Sequence, residues 1–228
     1  MTTELEDFSS LATNFAIHPR LSQLGQAFFD AQIATILGPQ LLSIFWDVRT
    51  LTLWREYHQV EHTQPSIEHV EYCQTLNWRC QYQALALPFE LRYSQNPTQE
   101  PCRITLLIVC HTSNPVYRPD SLLYRNLAAR LQSALERPVL QSLREHAPNM
   151  LLWILLLGAA ITEGQPECRW FLGELAICFW GVKSVDWVGV EDVVRRFLYI
   201  ERIWRQRFER IWNNVLALSM SSRCPAAV

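Results

Sequence analysis

His58-Gln-Val-Glu61-His62 is the stretch of this chain in which residue type and spacing come nearest to chemistry. It matches H-x-x-E-H, a pattern in which two histidines one helical turn apart ligate zinc while the glutamate activates water. Glu68 and His69 follow closely and are candidates for further ligands. A catalytic zinc needs a third protein ligand, however, and Thr63-Gln-Pro65 ends any helix directly after His62. Five-residue patterns without supporting context also arise by chance, and histidines near a helix C-terminus are favoured by the helix dipole. The stretch therefore reads as a solvated helix end. No catalytic, cofactor-binding or metal-ligating residue is assigned to it.

Other chemistries find less support. There is no G-x-S-x-G elbow, and Cys110 and His111 are sequence neighbours that a helix points about 100° apart. Seven scattered glycines assemble neither G-x-G-x-x-G nor a phosphate-binding loop. Arg195, Arg196, Arg202, Arg205, Arg207 and Arg210, with Trp204 and Trp212 interleaved, could be read as a nucleic-acid stripe. Glu191, Asp192, Glu201 and Glu209 share those faces, and the tryptophans fall at core spacing, so a salt-bridged helix is the better reading. Direct DNA binding is not expected.

The elements that would position these residues are helical. Of the 228 residues, 49% are hydrophobic and 18% charged, with nine Trp and a net charge of −2. This describes a chain able to bury a substantial core without metal or disulfide staples. Lys183 is the only lysine, so there is no lysine-rich run to act as a simple nuclear-import or DNA-sliding patch. The seven cysteines form no C-x-x-C pair and read as buried thiols of a reducing compartment. The acidic start, Met1-Thr-Thr-Glu-Leu-Glu-Asp, lacks the basic and apolar regions of a secretory signal, which leads us to expect an intracellular protein.

In chain order, residues 1–18 read as an arm or short helix and residues 19–218 as one helical domain. A frayed tail over 219–228 completes the reading. Leu21 to Leu37 predicts a helix, ended by Gly38 and followed by a second over about 39–62 that opens with Pro39. Ser66 is suited to cap a third near 67–87. Residues 102–112 are ambiguous: Ile104, Thr105, Ile108 and Val109 favour a strand by propensity, but a continuous apolar run has no deciding period. Asp120 or Ser121 opens an amphipathic helix interrupted at Pro138. Met150 to Ile161 is apolar on every side, which predicts a helix surrounded by other helices; it is too short for a membrane span of about 20 residues. A last long helix over about 190–215 would put Val190, Val194, Phe197, Trp204, Phe208, Ile211 and Val215 on one stripe. Glu191/Arg195, Asp192/Arg196 and Glu201/Arg205 would then pair at i,i+4 on its other faces.

Residues near 35–215 resemble the C-terminal half of the regulatory domain of fungal-specific zinc-cluster transcription factors. The resemblance is carried by Trp46-Asp-Val-Arg49-Thr-Leu, by Cys102-Arg103-Ile-Thr-Leu-Leu-Ile and by the run from Leu122 to Glu136. It continues in Leu151-Leu-Trp153-Ile-Leu-Leu-Leu-Gly158-Ala-Ala, Trp170-Phe171, Trp187 with Val190-Glu-Asp-Val, Phe197-Leu-Tyr and Ile211-Trp212. It implies an all-α fold of about eight to ten helices around the apolar helix near 149–162, and so a helical 102–112. It also implies a non-enzymatic regulator that works in the nucleus, or in the cytoplasm if no partner carries it in. The zinc-cluster module that precedes such domains has no counterpart among these cysteines, so the implied partners are proteins, among them a homologous zinc-cluster factor, with room for a small-molecule effector. The alternatives are a helical enzyme or small-molecule binder derived from a regulatory domain, and a fragment without a role of its own. A chain with nine tryptophans is expected to expose part of its apolar surface when unpaired.

Overall fold

The computed structural model describes residues 21–90, 96–112, 121–179 and 186–221. Among them are nine α-helices and no strand. They are α1 (Ala31–Val60), α2 (Ile67–Ala86), α3 (Gln99–Thr112), α4 (Leu122–Ala134), α5 (Arg137–His146), α6 (Pro148–Ile161), α7 (Cys168–Phe179), α8 (Trp187–Arg195) and α9 (Glu201–Ser221). The all-α expectation is met. The arm over 1–18 and residues 222–228 lie outside the described residues, and α9 reaches Ser221, into the stretch read as tail.

The helices divide between two compact units. One comprises the described residues up to Gln99 together with Arg195–Ile200; the other runs over Glu100–Val194 and resumes at Glu201. In the first, α1 and α2 form a helical hairpin, with a 3-10 turn at Gln26–Phe29 packed on α1. The helix expected from Leu21 starts only at Ala31. Asp30 caps it, its side chain accepting from the Gln32 amide at 2.9 Å, and the preceding turn instead satisfies its backbone across the unit. The Gly25 and Ala27 amides donate to the Phe197 and Arg196 carbonyls at 3.1 and 2.8 Å. Inside α1 the expected punctuation is a kink: Gly38 sits at φ 68°, ψ 166°, a region essentially closed to side chains, and Pro39 restarts the helix. Ser66 caps α2 as expected, accepting from the His69 amide at 3.3 Å.

In the second unit α6 is the centre. Every side chain from Met150 to Ile161 is buried, and α4, α5, α7 and α9 all pack on it. Gly158 lets α7 come close, because a Cβ at that position would run into the Phe171 ring. Residues 102–112 are helical, with Pro101 to Cys110 buried; Thr105 Oγ1 is satisfied within the helix by the Pro101 carbonyl at 2.7 Å. Burial on all sides outweighs the local β preference.

The long helix expected over 190–215 is broken. α8 ends at Arg195 and α9 begins at Glu201, and the four residues between Arg196 and Glu201 are all buried. The chain opens there, and two of the carbonyls it frees take the amides of the Gly25–Ala27 turn. The predicted stripe survives the break, since Val190, Val194, Phe197, Trp204, Phe208, Ile211 and Val215 are all buried.

Candidate interaction surface

The H-x-x-E-H stretch does not form the arrangement its spacing suggests. α1 ends at Val60, Glu61 is its C-cap, and His62 lies at φ 52° in the left-handed region. The two histidines are therefore not on one helical face. His58 stacks edge-on to Trp54, with ring centroids 4.7 Å apart, and its Nδ1 lies 2.6 Å from Thr63 Oγ1. Burial, followed by the nearby His69, pushes the His58 pKa below its ordinary value. Among the described residues, no group of three or more His, Cys, Asp or Glu side chains is placed to hold a metal ion.

The thiols are placed as expected in part: Cys73, Cys80, Cys102 and Cys110 are buried, Cys168 and Cys178 are half-buried, and Cys224 lies outside the described residues. Burial pushes the first three to about 12, which keeps them protonated and unreactive at neutral pH. Two of the arginines of α9, Arg205 and Arg210, pair with acids. Arg205 Nη1 bonds Glu201 at 2.7 Å, its Nε lies 3.7 Å from the buried Glu191, and Arg210 makes a two-pronged pair with Glu163 at 2.6 and 3.0 Å. Of the three pairs expected at i,i+4, Glu201/Arg205 forms directly. Arg196 falls beyond the end of α8, outside the helix that would have aligned it with Asp192.

Sequence reasoning missed the outer face of α2. Cys73, Leu76, Cys80 and Ala84 turn inward, and a second apolar row runs along the far side of the helix and into the short turn after it. Ile67 is 74% exposed, Trp78 62%, Tyr82 75%, Leu85 53% and Phe89 88%, with Val70 also exposed. Trp, Tyr and Phe each bring about 150–250 Å² of surface, so these three aromatics alone present on the order of 450 Å². A typical monomer's largest apolar patch is about 300–600 Å². The spacing was visible in the sequence. What the sequence lacked was the sign of each face, since α2 is apolar on both.

Tyr82 also borders a cleft of about 560 Å³ between α1 and α2, lined by Pro39, Gln40, Ser43, Gln83 and Glu90 among others. Gln40 Nε2 donates to Glu90 Oε2 across it. Beside the row, Arg79 pairs with Asp47 of α1 at 3.1 Å. The surface is thus an aromatic ridge next to a polar-edged groove, with its nearest charge neutralised. Aromatic residues beside a desolvated pocket are the usual anchors of protein recognition.

No family model, no curated protein and no solved structure matches the chain.

Proposed function

We propose that this chain is a regulatory protein that acts, without catalysis, by contact with other proteins through the outer face of α2. The observation that carries this reading is the row of exposed aromatics from Trp78 to Phe89, gathered on one helix face into a patch the size of a typical monomer's largest, which is often functional. The resemblance to zinc-cluster regulators supplies the class of partner, a homologous full-length factor, and the nucleus as the place of action. The paired arginines of α9 argue against a phosphate-binding stripe. The open α1–α2 cleft, about 560 Å³ in volume, is what supports a small-molecule effector in this reading. The same cleft supports the second reading, a small-molecule-binding protein.

Affinity capture from native cells decides between them. The tagged chain is expected to recover a zinc-cluster factor, and Trp78→Glu combined with Tyr82→Glu to lose it while the fold, followed by circular dichroism, is unchanged. A metal-loaded chain that recovers no transcriptional partner would overturn the regulatory reading. A chain without partners whose melting temperature is raised by a small-molecule library member, and whose response is lost in Gln40→Ala, would install the second.

A further inference from the structure

The α2 face carries exposed apolar side chains on both sides of a central tryptophan, Trp78, as a surface that meets its own copy requires. Counting from Trp78 along α2, the exposed positions of this face lie at −11 (Ile67), −8 (Val70), −7 (Glu71), −4 (Gln74), +4 (Tyr82) and +7 (Leu85), and Phe89 follows in the 3-10 turn after the helix. At about 1.5 Å per residue, Ile67 and Phe89 stand roughly 16 Å to either side of Trp78. An interface between identical chains related by a two-fold axis must pair residue i with j and j with i. An axis passing by Trp78, with two α2 helices antiparallel, does this along the whole row. It sets Trp78 on Trp78, Gln74 on Tyr82, Val70 and Glu71 against Leu85, and Ile67 towards the turn that carries Phe89.

We propose that the occupant of this face is a second copy of the chain, in an antiparallel α2–α2 homodimer centred on Trp78. The inference rests on reading the α2 face as a protein-interaction surface and names what covers it. Area and charge both fit. The exposed aromatics, together with Ile67, Val70 and Leu85, approach the roughly 800 Å² per partner of a standard stable interface. From Tyr72 to Phe89 the only charged residue is Arg79, and Asp47 of the same chain neutralises it. Two copies therefore meet without bare like charges in the middle of the contact, and a net charge of −2 adds little repulsion between them. Of the polar residues on this face, Gln74 falls opposite Tyr82, whose hydroxyl both donates and accepts, and Glu71 lies about 10 Å from the axis, beside Leu85 of the other copy and away from its own mate.

Sedimentation equilibrium of the full chain over a range of concentrations tests the proposal. Wild type is expected to be a dimer at micromolar concentration, and Trp78→Glu to weaken the association by about 30-fold or more, the size of an interfacial tryptophan hot spot. Register is tested by charge swap. Ile67→Lys and Phe89→Glu should each weaken self-association, and mixing the two variants should restore a heterodimer. A monomer at every concentration, a dimer indifferent to Trp78→Glu, or a mixture that fails to recover would each overturn this arrangement. Pairing these data with the capture experiment separates the two claims. A monomer whose zinc-cluster partner is still lost on Trp78→Glu refutes self-association and leaves the interaction reading standing, whereas a dimer that captures no regulator does the reverse.

Discussion

Arg49 is a charged side chain turned inward. Its Nε donates to the Leu24 carbonyl at 2.7 Å, and its guanidinium carbon lies 5.1 Å from the Trp46 ring and 5.6 Å from the Phe29 ring. Burial lowers its pKa, but an arginine remains charged at any ordinary pH. Lysine cannot lay a flat cation against two rings, so Arg49→Lys is expected to cost about 1–3 kcal/mol, chiefly by leaving the Leu24 carbonyl without its charged donor. The urea midpoint checks this. The i,i+3 step from Trp46 to Arg49 could be read from the sequence; the approach of Phe29 and Leu24 could not, because a turn and a helix had to meet first. His111 and His58 carry a pH dependence of known sign. Burial puts both below the ordinary value of 6.5, with His69 adding to the effect at His58. The unfolded chain takes up protons first as the solution is acidified, so the stability these residues provide is fully present above 6.5 and is lost as pH falls through their lower folded values. Urea unfolding between about pH 7 and pH 5 should show this loss, and His111→Gln should flatten it.

At the scale of elements, the α6–α7 contact sets two effects against each other. Gly158→Ala improves helix propensity by about 1 kcal/mol, but the new methyl meets the Phe171 ring in a closed core, and overpacking costs about 1–3 kcal/mol. The contact is expected to win, giving a net loss of about 1 kcal/mol or more in denaturant unfolding. Phe171→Leu in the same chain should return part of that loss, because the two positions are coupled. Helix existence was legible wherever a period or a cap marked it: Ser66 before α2, Pro138 in the first turn of α5, the all-round apolar run of α6. The misreadings have one cause. Leu21–Asp30 and the stretch between α8 and α9 both carry helix-compatible apolar spacing, yet each forms backbone hydrogen bonds with the other in place of helical ones. A periodicity argument sees side chains and is blind to an exchange of carbonyls and amides between segments about 170 residues apart.

For the whole molecule, that exchange has a consequence for fragments. The first unit ends at Gln99 in sequence but is completed by Arg195–Ile200. Phe197 stands 5.8 Å edge-on to Phe28, which itself lies 4.7 Å from Phe45. A fragment over 21–99 would lose this ring contact and leave the Gly25 and Ala27 amides without their carbonyls. It is expected to show no cooperative unfolding transition by circular dichroism, whereas the full chain unfolds cooperatively. The sequence by itself determined the helical class, the positions of most caps and breaks, the burial of α6 and of the α9 stripe, and the reading of His58 and His62 as a helix end. These follow from local rules: periodicity, capping chemistry and the cost of exposing a continuous apolar run. Only the tertiary structure decided which of two apolar faces of α2 is covered, where the chain from Arg196 to Ile200 goes, and which acids the arginines of α9 meet. Each of those depends on groups distant in sequence competing for one surface or one hydrogen bond, and that competition is settled only when the helices have packed.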